Sequence, residues 1–142
     1  MEHGLVAKVS STVQASVNEV WEALVTPKTI KEYMFGTTVK SDWKVGSKIT
    51  WKGKWNGKSY KDEGEILEIE PNHLLSYSHF SPLTGKPDEP DNYHTVTIEL
   101  SEQPRGTLVT LSQDNNVTEE EREHSEENWK VMLDGLKKVV ES

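Results

Sequence analysis

The apolar residues of this chain change their spacing twice along its length. Toward the C-terminus, Trp129, Met132, Leu133, Leu136, Val139 and Val140 recur at steps of three and four, which keeps them on one face of a 3.6-residue helix. The stripe predicts one long helix over residues 118–142. Thr118 caps it, Glu121 completes a Thr-x-x-Glu capping box, and Lys137 and Lys138 stand at the negative end of its dipole. One and two turns before Trp129 the same face carries Ser125 and Arg122, so the stripe is polar in its first half. Near the other end of the chain, Val17, Val20, Trp21 and Leu24 repeat the helical spacing behind a Ser16/Glu19 box and predict a short helix to about Val25. Thr26-Pro27 stops that helix and starts another, because proline is tolerated at the first helical position, and Gly36 ends it.

Elsewhere the chain reads mainly as strands. Val6, Val9 and Val13 mark a first strand over residues 5–15. Ile49, Trp51 and Trp55 alternate with Lys48, Lys52 and Lys54, and Asn56-Gly57 is a two-residue hairpin signal. Closing that hairpin sets Trp55 opposite Lys58, Gly53 opposite Tyr60 and Trp51 opposite Asp62. The return strand reaches about Glu70, before a turn at Pro71-Asn72. Residues 74–80 then place Leu75, Tyr77 and His79 on one face, with Leu74, Ser76, Ser78 and Phe80 on the other. Residues 81–91, with Pro82, Pro87, Pro90 and Gly85, read as a loop. Two more strands, 92–100 and 107–115, flank a turn around Gln103-Pro104-Arg105-Gly106. The order of strand, two helices, about six strands and a long helix predicts a single α+β domain over residues 1–142.

If Leu100 faces Thr107 across the last turn, then Ile98 meets Val109, Val96 meets Leu111 and His94 meets Gln113. These residues share one face, and the apolar ones mark it as the inner face. A helix of roughly 24 residues is about 36 Å long, so a small sheet must curl to cover it.

This order of elements resembles the helix-grip fold of START-related (SRPBCC) lipid carriers and plant pathogenesis-related allergens. Several stretches are more specifically similar to the heat-shock chaperone ATPase-activator (Aha-type) homologues. They are Ser16-Val17-Asn18-Glu19-Val20-Trp21-Glu22-Ala23-Leu24, Asp42-Trp43-Lys44-Val45-Gly46, Gly64-Glu65-Ile66-Leu67-Glu68-Ile69-Glu70-Pro71, Leu75-Ser76-Tyr77 and Val109-Thr110-Leu111-Ser112-Gln113, with Trp129 following. The resemblance implies a curved antiparallel sheet of six to seven strands around the C-terminal helix. It also implies a pocket between the two, often used for apolar ligands, and no fixed catalytic set.

Composition narrows the functional classes. Sixteen basic against 24 acidic residues give a net charge of −8, which disfavours nonspecific binding to nucleic acid or anionic membrane. With no cysteine there is no disulfide and no thiolate chemistry. No apolar run approaches ~20 residues, so membrane insertion is not expected. The N-terminus lacks the build of a signal peptide, which makes the cytoplasm the default location.

The candidate site follows from the inward faces. A few polar groups on an apolar lining are typical of small-molecule sites. The candidate ligand-binding residues are Trp51, Trp55, Tyr77, His79, His94, Val96, Val109, Leu111, Gln113, Ser125, Asn128, Trp129 and Met132. His79 and His94 read as rim residues, ligand hydrogen-bonders or proton carriers. Trp51 and Trp55 either line the pocket or cover the sheet's flank. Two histidines with Asp62 or Glu63 have no recognisable zinc spacing. No phosphate loop or nucleophile elbow occurs, so no cofactor, metal or catalytic residue is assigned. The acidic pairs at Glu119, Glu120 and Glu121 and at Glu126 and Glu127 read as a solvated helix face. The expected partner is a small hydrophobic or amphipathic molecule. The alternatives are a stress-related co-chaperone meeting a chaperone and a cyclase- or dehydratase-type enzyme using a pocket histidine. A monomer or weak dimer is expected.

Overall fold

A computed structural model describes residues 4–34, 36–55, 57–81, 87, 89 and 92–141, except for the side chain of Trp55. The chain runs β1 (Leu5–Val13), α1 (Val17–Val25), α2 (Pro27–Tyr33), β2 (Thr38–Ser41), β3 (Lys48–Trp55), β4 (Lys58–Glu70), β5 (Leu74–His79), β6 (His94–Gln103), β7 (Gly106–Asn116) and α3 (Glu119–Glu141). Seven strands form one antiparallel sheet in the order β1-β7-β6-β5-β4-β3-β2, so the first strand lies beside the last. This is the helix-grip arrangement, with α1 and α2 between the first two strands in sequence and α3 packed along β1.

Both predicted N-cap residues cap their helices. The Ser16 hydroxyl accepts from the Glu19 N–H at 3.2 Å, and the Thr118 hydroxyl accepts from the Glu121 N–H at 3.1 Å. On α3, Met132, Leu133 and Leu136 are buried, whereas Trp129, Val139 and Val140 are partly buried against the same core. The β3–β4 hairpin has the expected register, with Trp51 opposite Asp62, and Gly57 has a φ of 78°. Asn56 lies outside the described residues. β2 is a four-residue edge strand that the period of two does not signal.

The β6–β7 register differs from expectation. Gln103 pairs with Gly106, leaving Pro104-Arg105 as a two-residue turn, so Leu100 meets Val109, Ile98 meets Leu111 and Val96 meets Gln113. The shift is two residues. Because side chains alternate with period two, every residue keeps its face although each loses its expected partner. His94 consequently does not face Gln113 across the ladder.

β1 is an edge, and α3 satisfies part of it. The Lys8 N–H donates to Glu126 at 3.0 Å, the Gln14 N–H donates to Glu141 at 2.7 Å, and the Lys137 ammonium donates to the Thr12 carbonyl at 2.9 Å. Glu126 is therefore not simply a solvated helix residue: it holds a strand edge and also accepts from Arg122. The Gln14 N–H, followed by Lys137, holds the Glu141 carboxyl below its usual range.

Candidate functional site

Two cavities lie where the sheet meets the helices, and they divide the candidates between them. The first is apolar. Trp51, Tyr77 and Met132 line it with Tyr33, Trp43 and Ile49, and it encloses about 30 Å³. That is room for about one water. Large side chains thus fill this part of the fold. The Trp51 ring lies 5.2 Å from that of Tyr77 and meets His79 edge-on at 4.9 Å. Trp43 is held at a φ of 56°, uncommon for a bulky residue, with its N–H donating to the Ser41 hydroxyl at 3.1 Å.

Burial pushes the Tyr33 and Tyr77 phenols above the usual tyrosine range, and for Tyr33 the neighbouring Tyr77 adds to the effect. The Tyr33 hydroxyl donates to the Ala23 carbonyl at 2.9 Å. The folded chain holds these protons more tightly than the unfolded chain. Their contribution to stability is complete below about pH 10 and is lost as pH rises beyond it. An alkaline titration followed by phenolate absorbance is expected to ionise Tyr33 and Tyr77 only as the chain unfolds. Ionisation of all four tyrosines with circular dichroism unchanged would contradict this.

The second cavity is polar and measures about 240 Å³. Its sheet side carries His79, His94 and Gln113, and its helix side Ser125, Asn128 and Trp129, with Ser81 and Asn92 closing it. His79 and His94 are direct partners on β5 and β6. Val96, Val109 and Leu111 are wholly buried core residues and line neither cavity. The side chain of Trp55 lies outside the described residues.

Hydrogen bonds fix most of the polar lining. Trp129 Nε1–H donates to Gln113 Oε1 at 2.6 Å, which turns the two Gln113 amide protons away from the indole. His94 Nδ1 lies 2.9 Å from the Asp114 carbonyl, which can only accept, so Nδ1 carries the proton and Nε2 of the neutral ring is a bare acceptor. The Ser125 hydroxyl donates to Asn116 Oδ1 at 2.8 Å, and Asn116 Nδ2 donates to the Leu5 and Gln113 carbonyls. Asn116 is fully buried and ties β1, β7 and α3 together beneath the cleft.

The sequence candidates omit three residues that organise this site. Asn116 and Asp114 are two of them. The third, Asp62, is 14% exposed and meets His79 Nε2 through Oδ2 at 2.9 Å, while its Oδ1 is buried without a hydrogen-bond partner. The signal for Asp62 was present: an inward Trp51 places its partner Asp62 on the same inner face. Nothing local marks Asn116, whose partners lie 9 to 111 residues away in the chain, apart from Gln113.

Comparison with known proteins adds lineage to this geometry. Residues 14–141 match the family model described as "Activator of Hsp90 ATPase homolog 1-like protein". The solution structure of a Cytophaga hutchinsonii protein is similar with a TM-score of 0.86 and 60% identity, over 99% of this chain and 97% of that one. A crystal structure from Chromobacterium violaceum has a TM-score of 0.77 at 20% identity, over 96% and 97% of the two chains. The solution structure of an Aha1 dimer from Colwellia psychrerythraea has a TM-score of 0.76 at 21% identity, over 96% of both chains. The last two likenesses concern the fold alone. Comparison with the curated proteins gave no match.

Proposed function

The chain belongs to the Activator of Hsp90 ATPase homolog 1-like family, and from that premise we propose that it binds a small amphipathic molecule in the cleft between β5–β7 and the first half of α3. The observation that carries the reading is the convergence of His79, His94 and Gln113 with Ser125, Asn128 and Trp129 around about 240 Å³. That volume lies just below the ~300 Å³ at which drug-sized pockets begin, so the ligand is compact. Among the described residues no Lys or Arg lines the cleft. A head group carrying hydroxyl, carbonyl or amide functions therefore fits it better than a strong anion. His94 Nε2 accepts from such a group and the Gln113 amide donates to it, while the Trp129 ring offers an apolar wall. A longer apolar tail would need Trp51 and Tyr77 to move, because the apolar cavity beside them is nearly full.

Titration of labelled protein with short-chain alcohols, amides and fatty acids is expected to shift the Trp129 indole N–H and the His94 ring. Trp129→Phe keeps an aromatic wall but frees Gln113, and should weaken a hit by about tenfold. Hits confined to the outer surface would remove the reading.

The family match favours one further reading, that of an interaction protein docking on a chaperone. Glu119, Glu120, Glu123 and Glu127 form an exposed acidic surface on α3 that could serve it. Such a complex would weaken as salt is raised. The absence of any complex at low salt would exclude it.

A further inference from the structure

The outer face of β2–β4 has a charge that the chain as a whole does not. Residues 40–61 hold seven of the 16 basic residues and one acid, Asp42, in a protein of net charge −8. The ladder registers put these lysines on one surface. Lys52 is the direct cross-strand partner of Lys61, and Lys40 is the partner of Thr50, between Lys48 and Lys52 on the same face of β3. Like charges directly opposite one another are destabilising. Of this group Lys48 alone has an ion pair among the described residues, with Glu63 at 3.3 Å. Lys40, Lys52 and Lys61 have none.

These lysines surround a concavity of about 330 Å³, lined also by Ser41, Asp42 and Thr50. It is on the opposite face of the sheet from the His79–His94 cleft and shares no residue with it. Its size lies within the range of small-molecule sites. Four ammonium groups face two carboxylates, Asp42 in the lining and Glu63 beside Lys48, so a singly charged ligand would still leave part of the repulsion in place. Lysine binds phosphate as a flexible point charge without the fixed fork of arginine, which suits charge number over exact shape. Two hydroxyls, from Ser41 and Thr50, can donate to phosphoryl oxygens.

We propose that this concavity is a second binding site, for a small anion carrying two or more phosphate groups, whether free or as a lipid headgroup. The anion sits between Lys52 and Lys61, relieves their opposition, and is held from the sides by Lys40 and Lys48. Asp42, also in the lining, repels any anion, so binding depends on the lysines outnumbering it and Glu63.

The test is a titration of the labelled full chain with sodium tripolyphosphate at about 25 mM salt, where exposed charges are weakly screened. Amide signals of Lys40, Thr50, Lys52 and Lys61 are expected to shift and saturate, and affinity should fall steeply with salt. Lys52→Gln/Lys61→Gln should weaken binding by about tenfold and raise the Tm, since it removes a repulsive pair. Lys137→Gln/Lys138→Gln on α3 should leave the affinity unchanged. A parallel arm uses phosphatidylcholine vesicles with and without phosphatidylinositol bisphosphate. Response to tripolyphosphate assigns a free phosphate ligand, and sedimentation with only the phosphoinositide vesicles, lost in Lys52→Gln/Lys61→Gln, assigns a headgroup. Shifts spread evenly over all lysines, equal loss in the α3 variant, or no response in either arm would overturn the proposal.

Discussion

Gly64→Ala is expected to destabilise the protein by about 3 kcal/mol or more, a large effect for one methyl group. Gly64 lies in β4, paired with Ile49 of β3, and passes closely over the end of β5 between the Glu63–Phe80 and Ile66–Tyr77 pairs. A Cβ there would stand 1.7 Å from the Ser78 carbonyl oxygen, a backbone atom that cannot swing aside. The strands are pinned on both sides of the contact. Glu63 and Phe80 exchange backbone hydrogen bonds at 3.0 and 2.8 Å, and the Glu65 N–H donates to the Ser78 hydroxyl at 3.0 Å. Relief therefore requires breaking one of these links. The residue after Ser78 is His79, so the same displacement would disturb the Asp62–His79 pair. Urea denaturation should show a lower midpoint with an unchanged slope. A loss below about 0.5 kcal/mol would mean that the β4–β5 crossing opens freely, contrary to this account.

Leu136→Ala should cost about 2–5 kcal/mol through lost burial and the cavity left behind. Leu136 is fully buried, and with Leu133 and Met132 it supplies the buried contact of α3 with the core. The first half of the helix has no comparable anchor; its contacts are polar, through Arg122, Ser125 and Glu126. Exposed pairs such as Arg122–Glu119 are screened by solvent and cannot replace a buried leucine. The matched control is Val131→Ala on the exposed face of the same helix, expected within about 0.5 kcal/mol of the parent. Equal losses in the two variants, measured by thermal unfolding, would show that helix propensity rather than burial holds α3.

The two variants also differ in how visible their positions are in the sequence. Leu136 is legible because a helix's contact face repeats every 3.6 residues whatever it packs on. The Gly64 contact depends on where β5 happens to cross. The same contrast holds within the cleft. Gln113 and His94 were legible as inward residues by alternation, and Ser125 and Trp129 by helical spacing. Their bonding was not: the turn is centred on Pro104-Arg105, one residue further along the chain than the expected register implies, so Val96 took the place of His94 opposite Gln113. Asp62 entered the reading only beside the two histidines as a zinc option without recognisable spacing, and its bond to His79 needed the β4–β5 register, which the turn at Pro71-Asn72 alone did not define. The lysine surface was present in the alternation of β3 and the hairpin register to β4, yet Lys40 joined it only through the pairing of β2.

The sequence by itself determined the helix-grip order of elements, the Ser16 and Thr118 helix caps, the β3–β4 hairpin and the inward face of β5, β6 and the apolar part of β7. Those follow from backbone geometry acting over a few residues, so they survive any change of partner. The tertiary structure alone decided which residues meet elsewhere: the filled apolar cavity, the Trp129–Gln113 and Asp62–His79 bonds, and Asn116 beneath the cleft. Each of these pairings links distant segments, and close packing of the whole core, rather than any local preference, selects among the registers that local alternation permits.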